Sequence, residues 1–260
     1  MASATALDGA TRPWTVTGPE HAPALVFVHG TRLSRGYWAP QVRRLSEAYR
    51  CVALDLPGHG VRAAERFTLE TAAAGVAEAI EAAVPGGRAI VVGLSLGGYV
   101  AIEAADRYPD HVAGLVLAGC SAEPTGPAAA TFRALAWAQE RLPRRALRAV
   151  NTAFFRLRYR GPVADAIISG GFWWDGGAQA LRSLLPRRFL ERLGRLWTPV
   201  LILNGALDPM FGPGGEPWAA ACRNGRAEVI PWAGHLSSID RPGTFSARVA
   251  AFARSVAASA

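Results

Sequence analysis

Lysine is absent from the 260 residues, so every one of the 28 basic side chains is arginine. Cysteine is scarce at three and methionine at two. No apolar run reaches the ~20 residues a membrane-crossing helix needs. Each shortage excludes something. Cys51, Cys120 and Cys222 are widely spaced, odd in number and lack a C-x-x-C pair, which argues against a disulfide framework or a cysteine metal site. They read as reduced, small hydrophobes of a cytoplasmic protein. The opening stretch MASATALDGATRPW has neither a basic start nor an apolar core, so it is not a secretory leader. Complete use of arginine points to a coding bias that raises the net charge to +8 without a functional cause. The excess is also local. Residues 125–195 hold thirteen arginines against Glu140, Asp165, Asp175 and Glu191, while the rest of the chain is close to neutral. No nucleic-acid-reading motif accompanies this charge, and a nucleic-acid partner is not expected.

What is present is a run of short apolar segments alternating with helical ones. Half the residues are apolar, and the length suits one domain with an insertion. The stretches 24–30, 50–55, 88–95, 112–120, 198–205 and 226–232 read as buried strands. Residues 37–48, 68–84, 96–109 and 244–258 carry helical spacing, with Thr68 or Thr71 as the N-cap of the second. Strands buried on both faces and separated by helices predict an α/β fold with a mostly parallel central sheet. The alternation stops over 121–197, which turns to arginine and aromatics. Pro143, Pro162 and Pro186 divide it into several helices. The predicted organisation is therefore a core of 1–120 and 198–260 with a helical cap inserted at 121–197.

Within G93-L-S-L-G97, Ser95 sits between a predicted strand and a predicted helix. Glycines on either side permit a sharp turn that lifts a hydroxyl above the sheet. Serine is also a favoured N-cap, so the pentapeptide alone leaves both readings open. A serine nucleophile needs a base. Of five histidines, His21 falls in a surface turn, His59 in the loop DLPGHG and His111 between a helix and a strand, while His29 ends the first strand. His235, in WAGHLSSI after the last strand, is on the same sheet edge as Ser95 and is the base by elimination. The carboxylate that orients it is Asp208, after strand 198–204 in NGALDPMF. Glu123 is the rival acid. Asp240 reads as a loop brace or helix cap, and Asp55 as structural.

Taken together, F27-V-H-G30, D55-L-P-G-H-G60, G93-L-S-L-G97, L203-N-G-A-L-D208 and A233-G-H235 resemble the α/β-hydrolase superfamily, in order and on matching elements. The resemblance covers the chain outside 121–197. It implies a short N-terminal hairpin around PWTVTG, a helical lid at the insertion, and an oxyanion hole formed by the backbone N–H groups of Thr31 and Leu96, with His29 structural. A serine at 95 implies attack on a carbonyl, which favours hydrolysis of a carboxylic ester or related acyl bond and no metal or organic cofactor. A carbon–carbon bond hydrolase, a cofactor-free perhydrolase or haloperoxidase, and a non-hydrolytic receptor or cyclase are alternatives that would keep the same triad. The expected partner is a small molecule with an apolar acyl or ring group. Arg32 reads first as a solvated loop residue and second as a substrate contact. Among Phe172, Trp173 and Trp174, set between glycine pairs, at least one is expected to face substrate. The arginines of 121–197 read mainly as solvated helix faces, with an anionic carrier or thioester as the second account.

Overall fold

The structure, a computed structural model, describes residues 12–258; most of the stretch read as lacking a secretory leader therefore lies outside the described residues. Seven strands form one sheet in the order β1-β3-β2-β4-β5-β6-β7: β1 (Trp14–Thr17), β2 (Ala24–Val28), β3 (Arg50–Leu54), β4 (Ala89–Leu94), β5 (Val112–Ala118), β6 (Val200–Gly205) and β7 (Gly225–Ile230). All neighbours are parallel except β1, which runs antiparallel to β3. The α/β reading of a mostly parallel sheet holds. The N-terminal hairpin does not: β1 pairs with β3 and not with the next strand in the sequence. It is an exposed edge strand whose side chains are mostly solvated, so it shows no buried run for a periodicity argument to find.

Strands β2, β4 and β6 are buried at every residue, because helices cover both faces of the sheet. On one face lie α2 (Leu69–Ala83), α3 (Leu96–Arg107), α8 (Phe189–Arg195) and α9 (Gly215–Ala221); on the other lie α1 (Ala39–Leu45) and α11 (Pro242–Ala258). Thr68 caps α2 and Thr71 closes the reciprocal bond, so both predicted threonines belong to one capping box. Between β5 and β6 the described residues form helices only: α4 (Ala128–Arg141), α5 (Arg144–Tyr159), α6 (Pro162–Ser169), α7 (Trp174–Leu184) and then α8. Pro143, Pro162 and Pro186 fall at helix boundaries, where a missing N–H costs nothing. The short α10 (Ser237–Asp240) follows β7. Because β2 to β7 are parallel, the loops after β2, β4, β6 and β7 open on one edge of the sheet. That edge collects Thr31, Ser95, Asp208 and His235.

Candidate active site

Ser95 follows β4 directly and precedes α3. Its backbone adopts φ 52° and ψ −116°, a conformation that costs a residue with a Cβ of order 1–3 kcal/mol. It makes no side-chain capping bond to α3, which removes the N-cap reading. Its N–H donates to Ala118 O at 2.7 Å and so extends the β4–β5 ladder by one residue. The turn closes because Gly97 lies against the carbonyl of Val28, where a Cβ would collide. The strand-to-helix turn thus depends on the glycine and on β2 beside it.

His235 donates from Nδ1 to Asp208 Oδ2 at 2.8 Å. Its ring stacks on Phe211 with centroids 5.2 Å apart. It also lies over Gly119, whose φ is 58° and where a Cβ would stand 3.0 Å from Nδ1. Gly119 is the residue after the Ala118 that anchors Ser95, so serine and imidazole flank the same strand end. Among the described residues, neither Ser95 Oγ nor His235 Nε2 has a hydrogen-bond partner. A serine–imidazole bond of this kind often tightens only in the Michaelis or transition-state complex. Asp208 is 3 % exposed. Burial works against its charge, but the bond from His235 and the N–H groups of Phe211 and Met210 on Oδ1, at 3.2 and 3.1 Å, hold its carboxyl below the usual range. An ionised Asp208 fixes the tautomer that leaves Nε2 open toward the sheet edge.

The rival acids are committed elsewhere. Glu123 Oε1 accepts from Leu190 N–H at 2.7 Å at the start of α8. Asp240 accepts from Gly234 N–H at 2.7 Å, from Arg158 at 3.0 Å and from Tyr159 at 2.9 Å, and so braces the loop carrying His235. Asp55 accepts from the N–H groups of Arg35 and Val61 and ties down the loop after β3.

The two proposed oxyanion donors lie beside the serine. Leu96 opens α3, so its N–H has no intrahelical acceptor. Gly30 abuts Ser95, since a Cβ there would stand 3.6 Å from the serine Cβ. Thr31 follows, and its N–H has no partner among the described residues. Its hydroxyl is engaged with Gly177 O at 3.4 Å. Two histidines shape this loop. His29 Nε2 accepts from Leu56 N–H at 3.1 Å, and His59 Nε2 accepts from Arg32 N–H at 3.2 Å. Burial keeps both neutral, with pKa values lowered to about 4 and about 3. His29 is structural, as expected. The role of His59 was not legible, because its partner is a backbone amide 27 residues away.

Arg32 corrects the solvated reading. Its Nε donates to Asn151 Oδ1 at 3.1 Å in α5, and its guanidinium lies 5.6 Å from the Trp174 ring centroid. Trp174 is buried against Phe172. Trp173 lines a separate cleft with Ser34, Arg35, Asp55 and Gly170, which does not include Ser95. Nothing in the sequence marked Asn151, and Asn204 entered only as part of L203-N-G-A-L-D208, with no role of its own. The latter receives Gly119 N–H on Oδ1 at 3.1 Å and binds Ser121 Oγ and Phe211 O through Nδ2. It thereby sets the floor beneath the imidazole. Among the described residues no group of three His, Cys, Asp or Glu side chains is placed to hold a metal ion.

Residues 25–248 match the model of a family described as "Alpha/beta hydrolase family". The chain is similar to 3-oxoadipate enol-lactonase 1 of Acinetobacter baylyi, 28 % identical with 96 % of this chain and 95 % of that protein covered. It is also similar to the pimeloyl-[acyl-carrier protein] methyl ester esterase of Nitrosomonas europaea, 29 % identical with 86 % and 93 % covered. In structure it resembles a malate-bound thermophilic esterase from Thermogutta terrifontis, with TM-score 0.74, 26 % identity and 94 % and 93 % covered.

Proposed function

The chain belongs to the alpha/beta hydrolase family as a hydrolase of ester bonds, and we propose that it works through an acyl-enzyme formed on Ser95. The observation that carries the reading is the 2.8 Å bond from His235 to a buried, ionised Asp208, on the same sheet edge as a serine that caps nothing. Ser95 Oγ attacks the ester carbonyl while His235 Nε2 takes its proton. The oxyanion is held by the N–H groups of Thr31 and Leu96, the second reinforced by the α3 dipole. Collapse expels the alcohol, which receives the proton from His235. Water then repeats the sequence, releasing the acid and restoring the serine. Asp208 remains ionised throughout. A panel of p-nitrophenyl esters of different chain length tests this: turnover that disappears in Ser95→Ala supports it, and turnover unchanged in that variant refutes it. Binding without turnover would favour a receptor.

The arginines of the inserted helices supply a second reading, of the partner. Most are paired with acids, as in Arg182–Glu140, Arg187–Glu70 and Arg192–Asp106. On α5, Arg145, Arg148 and Arg156 form no ion pair among the described residues and surround an apolar patch that includes Ala149 and Leu157. Such a face suits an acidic carrier protein bearing the acyl group, and a similar protein is named for an acyl-carrier-protein ester. The cysteines are unpaired among the described residues, which suits a cytoplasmic setting; no helix of the described residues is long and apolar enough to cross a membrane.

A further inference from the structure

The sheet ends on an open edge. β7 is last in the strand order, and its ladder with β6 runs along its whole length without a shift in register. Asn224 O accepts from Val200 N–H at 2.8 Å, and Ile230 O accepts from Ala206 N–H at 3.0 Å. Backbone groups point to alternate sides along a strand. Arg226 and Glu228 therefore also turn theirs to β6, while Gly225, Ala227 and Val229 turn N–H and C=O outward. Among the described residues those outward groups have no partner. Such an edge is a template for another strand, and proteins usually blunt it with proline, a bulge or charge. β7 has neither proline nor bulge, and its two charges, Arg226 and Glu228, are of opposite sign.

That pair of charges selects both partner and register. A second β7, laid antiparallel about a two-fold axis, makes its longest ladders with the axis at Arg226, Ala227 or Glu228. An axis at Arg226 sets that arginine against its own copy, and an axis at Glu228 does the same with the glutamate. An axis at Ala227 sets Arg226 opposite Glu228 on both sides, which is the favourable cross-strand pairing. Within one chain Arg226 Nε is 3.5 Å from Glu228 Oε1, and Arg248 Nη1 is 3.2 Å from Oε2. Arg226 makes no hydrogen bond among the described residues, so its Nη nitrogens are available to a second carboxylate. The same register lays Val229, 52 % exposed, opposite Gly225, where no side chain competes for the space. Gly225 is itself required by α9, since a Cβ there would stand 2.3 Å from Ala219 O.

We propose that a second copy of this chain occupies the edge, joined β7 to β7 about a two-fold axis at Ala227, so that two sheets become one. Gly225 pairs with Val229 of the other copy and Ala227 with its own counterpart, each pair exchanging both backbone bonds. Arg226 of each copy answers Glu228 of the other. A contact of this kind uses the same patch twice, so it closes as a dimer and does not propagate. The two copies run in opposite directions, which sends the edges carrying Ser95, Asp208 and His235 to opposite ends of the joined sheet and leaves both open. The dimer is independent of the reading of Ser95. A ladder this short makes a weak contact, with a Kd of order 10 µM.

Sedimentation velocity at low salt, from about 1 to about 300 µM, measures the association, and amide hydrogen exchange locates it. The wild type should pass from monomer to dimer over that range, and the amides of Ala227 and Val229 should exchange about tenfold more slowly at the highest concentration. Arg226→Glu and Glu228→Arg each set like charges against one another on both sides of the axis, and each should raise Kd by at least about tenfold. Circular dichroism checks that both variants fold. An equimolar mixture of the two should recover the dimer, because each then meets opposite charges in the other. A wild type that stays monomeric throughout overturns the proposal. A dimer whose Ala227 and Val229 amides exchange as fast as in the monomer overturns it too, since the contact then lies elsewhere, as on the arginine-rich face of α5. Variants that dimerise as well as the wild type, or a mixture that fails to, also contradict it. Should either variant misfold, the wild-type exchange measurement decides alone.

Discussion

Replacing Ser95 with glycine removes a Cβ from a backbone held at φ 52° and ψ −116°, whereas replacing it with alanine keeps that Cβ and removes only the hydroxyl. Strain at such an angle pair costs about 1–3 kcal/mol. Glycine returns part of that gain through the freedom it adds to the unfolded chain, about 0.4–1 kcal/mol. Ser95 is half-buried, and Gly30 beside it has no side chain to lose contact with the Cβ. Little packing is therefore lost with it. Ser95→Gly should be more stable than Ser95→Ala by about 0.5–2 kcal/mol, an upward shift of roughly 2–4 °C in Tm per kcal/mol for a chain of this size. Urea unfolding followed by circular dichroism measures the difference, provided the slopes of the two variants agree. Both variants should be inactive, so the gain appears in stability alone. Equal midpoints, or a lower one for glycine, would show that the turn stores no strain and that the serine is held for another reason.

The remaining predictions concern the acids and the buried histidines. Asp208→Asn should lower kcat by about 10³–10⁴-fold, because the imidazole loses its fixed tautomer; Asp240→Asn should cost less than about tenfold, since an amide oxygen can still receive Gly234 N–H. Equal losses in the two variants would reverse the assignment of the acid. His29 and His59 stay neutral in the fold down to about pH 4 and about pH 3, while in the unfolded chain both take up protons below about pH 6.5. The unfolded state therefore gains protons first, and stability falls as pH drops from about 6.5 toward 4. Between pH 7 and 5 each histidine should remove about 2 kcal/mol. Urea midpoints at the two pH values should show His59→Gln losing about half as much from this source as the wild type. An identical loss in both would mean that His59 titrates normally in the fold.

Much of this molecule could be read before its coordinates. The central strands were legible because parallel strands covered on both faces become short, uninterrupted apolar runs, as in ALVFV and AIVVGL. Ser95, Asp208 and His235 stood out because each follows such a run directly, and parallel order sends all three to one sheet edge. The hairpin that the resemblance implies around PWTVTG does not form, since β1 pairs with β3, and the exposure of β1 leaves no apolar run to mark that partner. Helix α9, in a glycine- and proline-rich stretch, carries little helical periodicity. Arg32, His59, Asn151 and Asn204 were obscure for a different reason. Their surroundings are backbone groups, side chains or a ring far along the chain, and no local pattern encodes a contact of that range. The cleft holding Trp173 shows the same limit: spacing identified an aromatic that a helix could not bury, but not which crevice would receive it.

The central claim, that His235 activates Ser95, is tested most directly by labelling the intact protein with an organophosphate and mapping the adduct by mass spectrometry. One adduct on the peptide containing Ser95, absent in Ser95→Ala and strongly slowed in His235→Ala, is the predicted result. Labelling at another residue, or at Ser95 with an undiminished rate in His235→Ala, would contradict it.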